Sequence, residues 1–196
     1  MIINSKFNKG FTLIELLASI IVLIVVGSVI TGIISSSLRG SNKANTIENI
    51  RQNGNYTLNQ MSKDIEYALP FDGKNTGFSN SSTPTVYDTS CLFALGPTPT
   101  PITPYTFITV ESANNKITQY NCASSPPVLT AGGIPLIDST VSLLSCFFNC
   151  IQDKATDAPR IKISFSIGPK NPNGLMEKIT TPIAFETSVT LRNYKK

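Results

Sequence analysis

The chain has 196 residues, of which 41% are hydrophobic and only 14% charged, well below the roughly 25% charged of an ordinary soluble domain. Sixteen Lys and Arg against twelve Asp and Glu leave a net charge of +4. Lys6 and Lys9 supply half of it, so the remainder is too weakly basic to imply nucleic acid. There is no histidine, which excludes a His-based triad, a histidine metal ligand and a histidine acid or base. No P-loop, GxGxxG or nucleophile elbow occurs either, so the chain reads as a non-enzyme without a cofactor.

In chain order, the first element is KGFTLIELLASIIVLIVVGSVITGIIS, Lys9 to Ser35. From Phe11 to Ile34 it is apolar or small almost throughout and holds one charge, Glu15. As a helix, about 24 residues extend about 36 Å, enough for a hydrocarbon core of roughly 30 Å. No A-x-A cleavage site follows the run, so a transmembrane helix is predicted rather than a secretory signal. Lys6 and Lys9 favour a cytoplasmic N-terminus, with Arg39, Lys43 and Arg51 pulling weakly the other way. Glu15 is the anomaly, since a carboxylate at the centre of such a helix costs about 2.5–3.5 kcal/mol.

These residues resemble a known class. KGFTLIELL is similar to the class III signal of type IV prepilins and of type II secretion pseudopilins. The resemblance implies that residues 1–10 are a leader and that a prepilin peptidase cuts between Gly10 and Phe11. It also implies that Phe11 is then N-methylated and that Glu15 acts in subunit assembly, pairing with the α-amine of a neighbour's first residue. A Glu snorkelling to the membrane interface is the plainer alternative. The partners implied are the peptidase, other pilins or pseudopilins through the N-terminal helix, an inner-membrane assembly platform, and lipid before assembly.

Past Ile34 the chain turns polar, but Ile47, Ile50, Gly54, Leu58, Met61, Ile65 and Ala68 recur at helical spacing. Pro70 stops the pattern, so the helix is predicted from Phe11 to Leu69: a transmembrane, filament-core part over 11–34 and an amphipathic part over 35–69. Gly27, Gly32, Gly40 and Gly54 each weaken it by roughly 1 kcal/mol. Gly32 falls where major pilins often carry proline, a departure from the major-subunit pattern.

Residues 70–196 read as a β-rich region. FDGKNTGFSNSSTP is a polar loop, and strands are predicted at 86–95, 105–111, 116–122, 140–148, 160–167 and 183–191. ESANNK reads as a hairpin turn, GPTPTPITP as an exposed loop and GPKNPNG as another turn. The expected class is α+β: a long N-terminal helix packed on an antiparallel sheet, which the resemblance identifies as a pilin fold. MSKDIEYAL, closing the helix, and IAFETSVTLRN, a last strand, resemble the J-type minor pseudopilins and related minor pilins.

Cys91, Cys122, Cys146 and Cys150 suggest disulfides in a domain outside the cytoplasm, with three possible connectivities. The expected pairs are Cys146–Cys150 and Cys91–Cys122. The first requires a turn or bulge near Phe148-Asn149, because four residues along a strand span about 13 Å. CxxC spacing for zinc is absent, and Asp153 and Asp157 lack a third carboxylate for calcium, so no metal site is expected.

The function expected from the resemblance is a structural, minor filament subunit that helps initiate or cap a pilus or pseudopilus. It would sit in the inner membrane, N-terminus in and C-terminal domain out, before joining the filament. The alternative is a binding module for DNA or a surface ligand, with Arg160, Lys162, Lys170 and Lys178 as a basic strip.

Overall fold

A computed structural model describes residues 10–89, 104–124, 127–152, 158–170 and 182–193. The chain divides into two compact units, Met1–Ala44 and Asn45–Lys196. The class is α+β: one N-terminal helix, α1 (Leu13–Glu66), and antiparallel sheets.

Every described residue of the first unit apart from Lys43 is exposed, including the whole apolar run. Its hydroxyls turn inward on the helix. Ser19 Oγ donates to the Glu15 carbonyl at 2.8 Å, Ser28 Oγ to Val25 at 2.7 Å and Thr31 Oγ1 to Gly27 at 2.8 Å. Each of these three hydroxyls in the apolar run thereby carries its own partner, as a helix in an apolar medium requires.

In the second unit the amphipathic stripe is present. Ile50, Gly54, Met61 and Ile65 are buried, with Thr57 beside them, and Ala68 follows past the helix end. The helix stops at Glu66 rather than Leu69. Leu69, extended ahead of Pro70, turns its N–H to the Glu111 carbonyl at 2.7 Å instead of continuing the ladder.

Five strands form one sheet in chain order: β1 (Gly77–Ser79), β2 (Phe107–Glu111), β3 (Ile117–Ser124), β4 (Pro127–Ala131) and β5 (Ile134–Pro135). Three more form a second sheet: β6 (Val141–Ile151), β7 (Arg160–Pro169) and β8 (Ile183–Thr190). β7 alternates Ile161, Ile163, Phe165 and Ile167 into the core, and Phe185 and Val189 on β8 do the same. On β6 a bulge between Leu143 and Ser145 shifts the parity. Val141 and Leu143 face inward before it, Cys146, Phe148 and Cys150 after it, while Leu144 is left exposed.

Three strands differ from expectation. β4 and β5 lie in a stretch, 127–135, where no strand is predicted. Pro127 opens its strand, where a missing N–H is tolerated. Gly132 and Gly133, at φ of 56° and 82°, make a two-residue hairpin turn between Ala131 and Ile134. β1 lies in the segment read as polar loop and is held by Phe78, fully buried, stacked on Tyr105 at 5.0 Å and edge-on to Phe71 at 5.1 Å. Of the strand predicted at 86–95, residues 86–89 contain only a bridge from Asp88 to Phe78, and 90–95 lie outside the described residues. ESANNK is the β2–β3 turn, with Asn115 at φ 60°.

Gly54 is the one helix glycine with a packing reason. A Cβ there would overlap the Phe185 ring, whereas at Gly27, Gly32 and Gly40 it would meet open space. Gly54→Ala is expected to lower stability by about 1–3 kcal/mol through overpacking, exceeding the helix-propensity gain of about 1 kcal/mol. Gly32→Ala is expected to show only the gain. Thermal melts of the detergent-solubilised chain, followed by circular dichroism, distinguish the two; equal melts for both variants contradict this packing.

The turn after α1 is organised by one carboxylate. Asp72 Oδ1 accepts the N–H groups of Lys74, Asn75 and Thr76 at 2.9, 2.8 and 2.8 Å, and the Thr76 hydroxyl at 3.1 Å. Desolvation raises the Asp72 pKa, but these donors together outweigh it and hold it at about 2, below its ordinary 3.8. A depressed carboxyl stabilises the fold above the unfolded-state value. That contribution is therefore expected to be intact above pH 4 and to fade as pH falls towards 2. A carboxyl titration by NMR checks this; an Asp72 midpoint at or above 3.8 would refute it.

Candidate functional site

The N-terminus of α1 is built by Thr12 and Glu15. The Thr12 N–H and hydroxyl both donate to Glu15 Oε2, at 3.2 and 3.1 Å, while the Glu15 N–H lies 3.4 Å from Thr12 Oγ1 and 3.1 Å from the Thr12 carbonyl. This is a capping box: the side chains at the cap and three residues on satisfy each other's N–H groups. Sequence reasoning missed Thr12, although Thr-x-x-Glu ahead of an apolar run is the signature of this motif. Glu15 thus has a local partner, and its charge also sits favourably at the positive end of the helix dipole. Gly10 and Phe11 precede the helix and are exposed, Phe11 by 80%, so the bond between them lies in accessible, non-helical chain. Lys6 and Lys9 lie outside the described residues.

From Leu13 onwards the helix is long and apolar enough to cross a membrane, and no part of its most apolar stretch is buried. Family models, curated proteins and solved structures offer no match to this chain.

The two softer motifs meet in space. The segment after the last strand closes the end of α1 through five contacts. The Arg192 N–H donates to the Glu66 carbonyl at 3.0 Å, and Arg192 Nε pairs with Glu66 Oε1 at 2.6 Å. The Arg192 guanidinium lies over the Tyr67 ring at 5.2 Å, and Asn193 Nδ2 donates to the carbonyls of Tyr67 and Ala68 at 3.1 and 3.3 Å. A distant segment therefore supplies the donors that the orphan carbonyls of a helix C-terminus need. Nearby, the buried Tyr120 hydroxyl donates to Asp64 of the helix, and burial, then the Asp64 charge, pushes the Tyr120 pKa far up.

The cysteine expectation is corrected. Cys122 on β3 is bonded to Cys146 on β6, with Cα atoms 5.3 Å apart, tying the two sheets together. Cys150 is also disulfide-bonded, and Cys91 lies outside the described residues. Cys146 and Cys150 cannot join each other because they point the same way on one continuous strand. The β6 bulge falls before them rather than between them.

The basic residues do not gather. Lys162 is paired with Glu186 at 2.7 Å, and Arg160 shares its face at one end of β7. Lys170 follows the other end, about 27 Å along an extended strand, close enough to Asp138 to help lower its pKa after the Thr140 hydrogen bonds. Lys178, Asp153 and Asp157 lie outside the described residues. Among the described residues no three His, Cys, Asp or Glu side chains cluster as metal ligands.

Proposed function

We propose that this chain is a structural, minor subunit of a type IV pilus or type II secretion pseudopilus, with a pilin fold. The observation that carries the reading is the helix start. An accessible Gly10–Phe11 bond is followed two residues later by a capped, wholly exposed apolar helix whose one charge is Glu15. An uncovered apolar surface of that size in a monomer calls for lipid or for other helices. Residues 1–10 are the leader and 11–34 the membrane and then filament-core segment. The amphipathic helix and β-rich region, 35–196, form the extracytoplasmic part. A prepilin peptidase removes the leader at the inner membrane, Phe11 is N-methylated, and an assembly platform passes the subunit to other pilins, at an initiating or capping position.

A disulfide-tied second unit supports an extracytoplasmic placement, where such bonds persist. The dispersed basic residues favour this reading over the DNA-binding alternative, which needs a continuous positive face. The test is intact mass of the protein extracted from membranes of a host with an active prepilin peptidase. The expected mass lacks Met1–Gly10 and carries one additional methyl group. A mature chain beginning at Met1 in that host overturns the proposal.

A further inference from the structure

The five-stranded sheet has one face against the helix and one face away from it. Tyr120, which reaches Asp64, and its cross-strand partner Ile108 mark the helix side. Thr109 and its partner Gln119 alternate with them and mark the other side. There the loop after α1 folds over β2 and β3 and leaves a cleft of about 480 Å³, within the range of small-ligand sites.

Most such sites are predominantly apolar, but this one is not. Lys74 and Asn75 from the Asp72 turn, Ser82 and Tyr87 from the covering loop, and Gln119 from β3 all line it. None of these side chains has a hydrogen-bond or ion-pair partner among the described residues, and no carboxylate lines the cleft. Thr109 also lines it, is 2% exposed, and its hydroxyl is unpartnered. The Thr109 hydroxyl oxygen is itself buried beneath this lining, so the accessible donors and acceptors are those of Lys74, Asn75, Ser82, Tyr87 and Gln119. The Asp72 hydrogen bonds hold the Lys74 and Asn75 backbone in place before any ligand arrives.

We infer that this cleft binds a carbohydrate unit carrying one carboxylate, of the uronic-acid kind. Two amides and the Ser82 and Tyr87 hydroxyls both donate and accept, which matches a ring of vicinal hydroxyls. The Tyr87 ring offers the flat apolar surface that a sugar face needs. Among the described residues Lys74 is the one cation lining the cleft and suits a single carboxylate; a di-anionic phosphate calls for more charge and for bidentate donors.

The test uses the full chain in detergent micelles, with methyl β-glucuronide and methyl β-glucoside as probes, read by saturation-transfer NMR and titration calorimetry. The native protein is expected to bind the glucuronide about tenfold more tightly, the increment of a charge-assisted hydrogen bond. Lys74→Gln, at an exposed site, is expected to abolish that preference and keep glucoside binding. Gln119→Ala, which removes one of the two amides, is expected to weaken both probes several-fold. Absence of saturation transfer to either glycoside, equal affinity of the native chain for both, or a preference that survives Lys74→Gln overturns the assignment. None of these outcomes bears on leader cleavage or filament assembly.

Discussion

Replacing Cys122 and Cys146 together by alanine should lower the stability of the second unit by about 2–5 kcal/mol, a fall in melting temperature of roughly 5–15 °C. The bond joins β3 to β6, strands of different sheets 24 residues apart, and both cysteines lie at the core. Its loss frees the two sheets in the unfolded ensemble and leaves a small void at Cys122, which is 1% exposed. Differential scanning calorimetry of the oxidised and doubly substituted proteins measures the difference. Non-reducing peptide mapping gives the direct check: one linked peptide should contain Cys122 and Cys146, and another should contain Cys150. An unlinked Cys122, or a link confined to Cys146 and Cys150, contradicts this connectivity. A melting temperature unchanged by the double substitution contradicts the stabilising role.

Substitution of Glu15 should separate two jobs that one side chain performs. Its local job is the capping box with Thr12, worth about 0.5–2 kcal/mol of helix stability. The assembly job, which rests on the proposed function, is to neutralise a neighbour's α-amine, and breaking such a buried pair costs about 3–5 kcal/mol. Glu15→Gln keeps an oxygen for the Thr12 N–H and loses the charge. It should therefore retain the cap and lose most of the assembly. Glu15→Val should lose both, and Glu15→Lys should be worst because it sets like charges together. Cleavage after Gly10 should continue in all three. Co-purification with partner pilins, beside the cleaved fraction, is the measurement. If Glu15→Gln co-purifies like the parent while Glu15→Val does not, Glu15 is a cap alone; if cleaved Glu15→Val assembles normally, it is neither essential cap nor partner.

The parts of the fold legible in the sequence are those with a strong period. The stripe from Ile50 to Ala68 announces its buried face because steps of three and four residues admit one helical surface. β7 announces itself by strict alternation from Ile161 to Ile167. The hairpin of β4 and β5 falls outside the predicted strands, although a Gly-Gly pair between short apolar runs is a hairpin signal; its strands are too short to show a period. β1 has three residues and no period; Phe78 is identified only by the aromatic rings it meets. At the candidate site, Glu15 stood out as a charge in an apolar run, but attention to the charge hid Thr12, three residues earlier. The disulfide was misassigned because proximity in sequence stood in for proximity in space. Cys122 meets Cys146 across two sheets, a distance set by tertiary packing and invisible to spacing.

The tie between α1 and Asn193 has a consequence for biogenesis. The carbonyls of Tyr67 and Ala68 receive their side-chain donor from a residue 126 and 125 positions later, and Arg192 brings the matching charge to Glu66. β8, too, pairs only with β7 among the described residues, so the second sheet gains its third strand only once residues 183–190 have been made. A nascent chain emerging from the ribosome therefore holds an incomplete fold until residue 193 has appeared, whatever has already inserted or formed upstream. Termination before Ile183 removes the cap and the edge strand together, which makes such fragments substrates for quality-control proteases rather than shortened working subunits. Long-range closure of this kind also folds slowly, since the loop entropy is spent before the contacts form.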